Sequence, residues 1–339
     1  MTDLLTPPDP TTLPPMDVRS RVDRLRSAMA EHDPSLPAML VTSLTNIRYL
    51  TGFTGSAAVL IVLPDSWLFV SDGRYGEQAA QQLGESGVDC RIEISTYEQK
   101  EILKGFVADQ GITKMGIEAA HLSVADHQRL AGDHYEGVEL VPTAEIVETL
   151  RLVKDDGELA RLQAAATVAD AALASVRPRL LEGVTEADFA IELDFAIRRF
   201  GASGNSFESI VAAGINGAKP HARPSDRVIG EGDLVVLDFG SVVEGYCSDM
   251  TRTLMVGEPT TTQSRMLEVV LAAQQAGVEA VRAGVEAKAI DAVCRDIITE
   301  AGWGDAFSHS TGHGVGLDIH EAPRVSKLSD TTVATGFVI

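Results

Sequence analysis

The sequence predicts an α/β protein built as two consecutive domains, and three observations carry that prediction. The chain has 339 residues, which suits about two domains of about 100–200 residues each. From Asp17 to residue 150, short apolar runs alternate with helix-like stretches, the pattern of a compact α/β domain. From Asp155 onward the period changes to long amphipathic helices with strands between them.

Residues 1–16 carry Pro7, Pro8, Pro10, Pro14 and Pro15 and are expected to form a disordered lead-in. An amphipathic stretch then runs from Asp17 through Met29. Ala38–Val41, Ala58–Leu63 and Trp67–Val70 read as strands, with a turn at Ser71-Asp72-Gly73. Glu98–Gln110 reads as a helix, and Met115–Ile117 and Val138–Val141 as further strands. The domain boundary is expected at Arg151–Asp155, giving a first domain over 17–150 and a second over 155–339. Leu159, Leu162, Ala166, Ala169, Leu173 and Val176 recur at helical spacing in one long helix. A second helix starts at Thr185, where Thr185-Glu186-Ala187-Asp188 resembles a capping box, and stops at Gly201. Two more helices are expected near 262–282 and 288–300, ahead of a Gly/His-rich segment. No internal repeat of fixed period is visible.

Composition excludes several function classes. The net charge is −21, from 28 Lys+Arg against 49 Asp+Glu. Nucleic-acid binding needs clustered cations that displace counterions from phosphates, so no nucleic-acid partner is expected. The same charge disfavours an anionic membrane surface. The longest apolar run, Ala57–Leu63, is far short of the roughly 20 residues that span a bilayer. The N-terminus lacks the pattern of a secretory signal. Cys90, Cys247 and Cys294 are odd in number and far apart, which argues against a disulfide framework or a CxxC site. A cytoplasmic, reduced protein is expected.

Chemistry concentrates in the second half. Leu234–Phe239 is an apolar strand that carries Asp238, and a buried carboxylate is costly unless paired or metal-bound. By itself Asp238 could equally cap local backbone donors. Asp249 lies eleven residues later, and Glu244-Gly245 between them signals a hairpin. A turn between Val243 and Glu244 would place the two aspartates directly opposite each other, with Cβ atoms about 5 Å apart. Two ionised carboxylates that close repel, so one is protonated or a cation sits between them. A pair of divalent ions about 3.5–4 Å apart would suit that geometry. Glycines flank His313 in Ser310-Thr311-Gly312-His313-Gly314-Val315-Gly316 and allow close backbone approach, although Gly-His-Gly also occurs in plain loops. His320 follows seven residues on. His221 sits in a turn-rich loop where an exposed histidine is unremarkable in itself, and His309 reads as structural. HExxH, GxSxG and GxxxxGK[ST] are all absent, and the GxGxG at Gly312–Gly316 does not follow a strand in a βαβ unit.

Taken together, Asp238, Asp249, His313, His320 and His221 resemble, in order and spacing, the functional residues of the pita-bread metallopeptidases. That family includes methionine aminopeptidase, prolidase, aminopeptidase P and creatinase. The resemblance implies metal-ligand roles for Asp238, Asp249 and His313. It implies that His320 contacts substrate and helps protonate the leaving group, and that His221 lies near the substrate carbonyl. Thr45–Ser56, Ser71–Tyr75 and Leu150–Glu158 resemble the creatinase-type N-terminal domain of Xaa-Pro peptidases and its linker. The implied fold is a creatinase-like N-terminal domain followed by a pita-bread catalytic domain.

The implied cofactor is two divalent metal ions, with Mn²⁺ favoured by carboxylate-rich ligands and Co²⁺ or Zn²⁺ as alternatives. The implied partners are proline-containing peptides, and a homodimer is compatible with the family. The family's last two metal ligands are glutamates that would follow Gly336–Ile339, and neither has a counterpart in these 339 residues. The catalytic domain is therefore expected to lack its C-terminal strands, and this chain to be impaired. The first expectation for activity is aminopeptidase P-like hydrolysis of an N-terminal Xaa-Pro bond. Alternatives are an Xaa-Pro dipeptidase (prolidase), a creatinase-like C–N hydrolase and a non-catalytic binding module.

Overall fold

The computed structural model describes Asp9 and residues 12–339. Its α/β architecture divides into two compact units: Asp17–Arg151, and Leu152–Ile339 together with the described residues before Asp17. Among the described residues no helix is long and apolar enough to cross a membrane.

The first unit runs α1 (Ser20–His32), β1 (Met39–Val41), α2 (Leu44–Thr51), β2 (Val59–Val62), β3 (Trp67–Ser71), α3 (Gly76–Ser86), β4 (Arg91–Ile94), α4 (Gln99–Asp109), β5 (Lys114–Glu118), α5 (Val124–Arg129), β6 (Glu139–Thr143) and α6 (Ile146–Arg151). Its strands form one mixed sheet in the order β4-β3-β2-β1-β5-β6. All five residues of β3, near the centre of the sheet, are buried. Leu103, Phe106 and Val107 of α4 pack on Leu40, Ile61, Leu68 and Ile117. Beyond the expected elements, the unit contains α2, α3, β4, α5 and α6. The α2 sequence is rich in β-branched residues and owes its start to a distant carboxylate. Glu118 of β5 accepts from the amides of Thr42 (2.6 Å) and Ser43 (2.8 Å) and from Asn46 Nδ2 (2.8 Å). The Ser43 amide is one of the backbone donors that a helix start leaves without an intrahelical partner.

The second unit runs α7 (Asp156–Val176), α8 (Glu186–Arg199), β7 (Gly204–Asn205), β8 (Ile210–Ala213), β9 (Leu234–Phe239), β10 (Ser241–Val243), β11 (Tyr246–Cys247), β12 (Met250–Met255), α9 (Thr261–Ala280), α10 (Ala287–Glu300), β13 (Gly312–Gly314) and β14 (Glu321–Val325). The strands form three antiparallel sheets, β11-β10-β7, β12-β9-β8 and β13-β14. Ala165, Val168, Ala169 and Ala172 of α7 and Phe189, Leu193 and Ile197 of α8 share one core with Val211, Val235, Leu237 and Phe239. Thr185 caps α8 by accepting from the Asp188 amide at 3.0 Å, while the Asp188 carboxylate takes the Thr185 hydroxyl at 2.8 Å. The full capping box instead forms on α7, between Asp155 and Glu158.

Of the expected lead-in, residues 1–8, 10 and 11 lie outside the described residues. Leu13 packs on the core of the second unit, and Pro14 O accepts from Arg161 Nη1 at 2.8 Å. A Cβ at Gly157 would run into the backbone of Pro15 and Met16, so α7 and this segment meet at close range.

Although no fixed period shows in the sequence, the second unit uses one backbone pattern twice. α8 and α10 are both 14 residues long. Thr185 bridges Val228 ahead of α8, and Glu286 bridges Thr332 ahead of α10. The Ile229 amide donates to Val184 O and the Val333 amide to Val285 O, both at 2.9 Å. The returning strand stretches keep Ser-Asp at Ser225-Asp226 and Ser329-Asp330 and differ elsewhere, so backbone pairing carries the likeness.

Candidate metal centre

Asp238 sits on β9, whose burial alternates along the strand, so Val235, Leu237 and Phe239 enter the core and Asp238 faces the other way. The carboxylate is therefore half-buried at the sheet surface, not enclosed in a continuous buried run.

The hairpin after β9 turns one residue later than expected. Glu244 (φ 44°) and Gly245 (φ 83°) both adopt positive φ and form the two-residue turn, so Val243 pairs with Tyr246. Asp238 consequently pairs with Thr251, not with Asp249. Asp249 lies two residues before Thr251, the diagonal position, about 7–8 Å away in a regular ladder. The chain passes from one sheet to the next at Gly240, where a Cβ would collide with Ser248 O. Gly240→Ala should destabilise the second unit by at least about 1–3 kcal/mol, because backbone cannot give way as a side chain can. Thermal unfolding of the variant reads this directly, and an unchanged midpoint would refute the close approach.

Burial, then the charge of Asp249, raises the Asp238 pKa, against the pull of Thr251, His221 and His313. The Thr251 hydroxyl donates to Asp238 Oδ1 at 3.0 Å. His313 on β13 brings Nε2 to 3.3 Å from Asp249 Oδ2. Its Nδ1 lies 3.0 Å from Gly314 O, and a carbonyl can only accept, so Nδ1 carries the proton. The Asp249 carboxylate holds His313 above the ordinary histidine value, against the opposing effect of burial. A neutral His313 would aim its Nε2 lone pair at a carboxylate oxygen. That arrangement calls for a cation there, either a proton or a metal ion.

His320 is exposed, with its ring centroid 4.4 Å from that of His313 in an edge-on contact. His221 is exposed in its loop, and its charge is felt by Asp238. The loop is anchored by buried Glu186, which accepts from the amides of Ala213 (2.7 Å) and Ser225 (3.1 Å) and from Asn216 Nδ2 (3.0 Å). His309 stacks edge-on against Phe307 with centroids 4.8 Å apart. Sequence reading missed Thr251 and Glu186. Thr251 had a signal, since it follows Asp249 at the strand period of two.

The comparisons with known proteins decide the family. The model of "Metallopeptidase family M24" matches residues 160–339. This chain belongs to metallopeptidase family M24. The model of the "Creatinase/Prolidase N-terminal domain" matches residues 21–153. The solved Xaa-Pro dipeptidase from Bacillus anthracis is 39% identical, with TM-score 0.88, covering 94% of this chain and 88% of that one. The X-Pro aminopeptidase from Thermotoga maritima is 31% identical, with TM-score 0.84 and coverage of 93% and 88%. An Xaa-Pro dipeptidase from Pyrococcus horikoshii is 32% identical over 90% of this chain and 84% of its own length. Nothing in the family match bears on the expected impairment of the site.

Membership in M24 implies metal ions. Among the described residues no three His, Cys, Asp or Glu side chains close into one compact group, and the convergence is pairwise. The donor chemistry nevertheless fits a divalent ion: two carboxylates and an imidazole nitrogen whose opposite N–H is fixed by a carbonyl.

Proposed function

We propose that this protein is an Xaa-Pro dipeptidase, releasing free proline from a dipeptide. The observation that carries the metallopeptidase part is the His313 Nε2 to Asp249 Oδ2 contact, with Nδ1 held by Gly314 O. Asp238, Asp249 and His313 would hold the metal, with Mn²⁺ favoured by an oxygen-rich donor set. A bound divalent metal supplies an acidified water and polarises the scissile carbonyl.

The chain's own groups do the rest. Thr251 fixes one oxygen of Asp238 and so orients its other oxygen. Gly314 O sets the tautomer that leaves His313 Nε2 free to ligate. Exposed His221 and His320 stand where substrate can reach them. His320 is suited to deliver a proton to the departing proline nitrogen, which leaves as a secondary amine. His221 is suited to donate to the carbonyl oxygen as negative charge develops there.

The dipeptidase reading replaces the aminopeptidase P-like expectation. The relatives cited at 39% and 32% identity are Xaa-Pro dipeptidases, and the aminopeptidase stands at 31%. The test is hydrolysis of an Xaa-Pro dipeptide and an Xaa-Pro-Xaa tripeptide side by side in Mn²⁺. The dipeptide should be preferred by at least about tenfold in kcat/KM, roughly 1.4 kcal/mol of transition-state discrimination. The reverse preference would restore the aminopeptidase reading. Cleavage of neither, with Mn²⁺, Co²⁺ or Zn²⁺, would remove the peptidase reading itself.

A further inference from the structure

A buried ion pair on α10 lies outside the motif that carries the candidate metal ligands. Asp291 is fully buried, and Arg295 follows one turn later on the same helix. Asp291 Oδ2 accepts from Arg295 Nε at 2.9 Å, and Oδ1 accepts from Arg295 Nη2 at 3.0 Å. Oδ1 also accepts from the Thr311 amide at 3.1 Å and the Thr311 hydroxyl at 2.8 Å. Arg295 then reaches the carbonyls of Phe307 (2.7 Å) and His309 (2.9 Å), with its guanidinium 4.3 Å from the Phe307 ring centroid. The pair thus fastens Phe307, His309 and Thr311, which are alternate residues of the segment leading into β13. His313 is the next alternate residue.

We propose that Asp291 and Arg295 are positioning residues that fix the His313 imidazole through Thr311, and so set the metal affinity of the site. The proposal rests on the metallopeptidase reading above. A buried ion pair is a poor way to gain stability alone, since apolar residues of similar volume do as well or better. What it offers is direction. A bidentate carboxylate–guanidinium pair has a fixed plane, and its remaining donors and acceptors fall at set points. Here those points are two carbonyls, one amide and one hydroxyl of the segment that leads into β13. Burial alone would raise the Asp291 pKa, but Arg295 and Thr311 outweigh it and hold it low, so the acceptor stays charged. Groups that orient metal ligands from behind typically change metal affinity about 10–100-fold when removed.

Thr311→Val removes one hydrogen bond of this clamp at nearly constant volume, and Thr311→Ser keeps it. Mn²⁺ binding by calorimetry should weaken about 10-fold or more in Thr311→Val and stay within about 2-fold of wild type in Thr311→Ser. In the metal-free proteins, hydrogen exchange at Gly312 and His313 should speed up in the valine variant alone, with the urea midpoint nearly unchanged. That readout needs no metal. Wild-type Mn²⁺ affinity in Thr311→Val would overturn the proposal. So would equal losses in both variants tracking a lowered urea midpoint, which would mark a merely structural role. A wild-type protein that binds none of Mn²⁺, Co²⁺ and Zn²⁺ would strike down the metallopeptidase reading and this proposal with it, whatever the exchange data show.

Discussion

Asp238→Asn should abolish divalent-metal binding and hydrolysis while leaving the metal-free protein as stable as the wild type, or more so. The ionised carboxylate is disfavoured by burial and by the charge of Asp249. Asparagine keeps an acceptor for the Thr251 hydroxyl, now at 3.0 Å, and carries no charge to desolvate. It cannot ligate as an anion. The sign with pH follows from the direction of the shift. The folded-state pKa lies above the unfolded value, so folding favours the protonated acid. The group therefore costs nothing well below the unfolded pKa of about 3.9 and becomes destabilising as pH rises through the folded-state value. Urea midpoints of the metal-free protein should fall across that window in the wild type and fall less in Asp238→Asn. With Mn²⁺ added, the order reverses, because only the wild type gains stability by binding. A variant that still gains stability from Mn²⁺ as the wild type does would remove Asp238 from the ligand set.

How much of this was legible depended on where the causes lie. Apolar runs showed β1, β2, β3 and β5 directly, because buried strands advertise themselves by composition, and the run Val138–Val141 showed the edge strand β6 although only Thr143 of it is buried. β4, with sequence RIEI, is an edge strand with no fully buried residue, so it carries no such run. α2 is a tertiary product: its start is held by Glu118, 75 residues from Ser43. In the site, Asp238 and Asp249 were readable from a carboxylate in an apolar strand followed by a hairpin signal, and His313 from its flanking glycines. The register was not. Positive φ at Glu244, a residue that rarely adopts it, moved the turn by one place. The expected opposition became a diagonal, yet both aspartates stayed within electrostatic reach because the strand period is two. Asp291 and Arg295 gave no signal, since an acid and a base four apart on a helix usually form an exposed pair. Dipeptide against longer peptide was unreadable for a related reason: no linear motif encodes the space beyond the leaving proline.

Lys154→Met should cost the second unit about 3–5 kcal/mol, one of the larger single-residue effects open to this chain. Lys154 Nζ lies 3.1 Å from Glu321 Oε2, with the two side chains 1% and 7% exposed. Methionine fills the same channel, so the loss is electrostatic: a buried carboxylate loses its cation. The backbone bond from the Lys154 amide to Gly336 O, at 2.9 Å, is kept in Lys154→Met and cannot mask the effect. In Lys154→Met/Glu321→Leu neither charge remains, and most of the stability should return, which a double-mutant cycle would show as strong coupling. Glu321 also accepts from the Asp318 amide at 3.1 Å and so holds the turn that precedes His320. The double variant should therefore regain its urea midpoint without regaining activity, since the turn has lost its anchor and His320 its fixed approach. A Lys154→Met protein within about 1 kcal/mol of wild type would mean the pair is hydrated and the turn is held by something else.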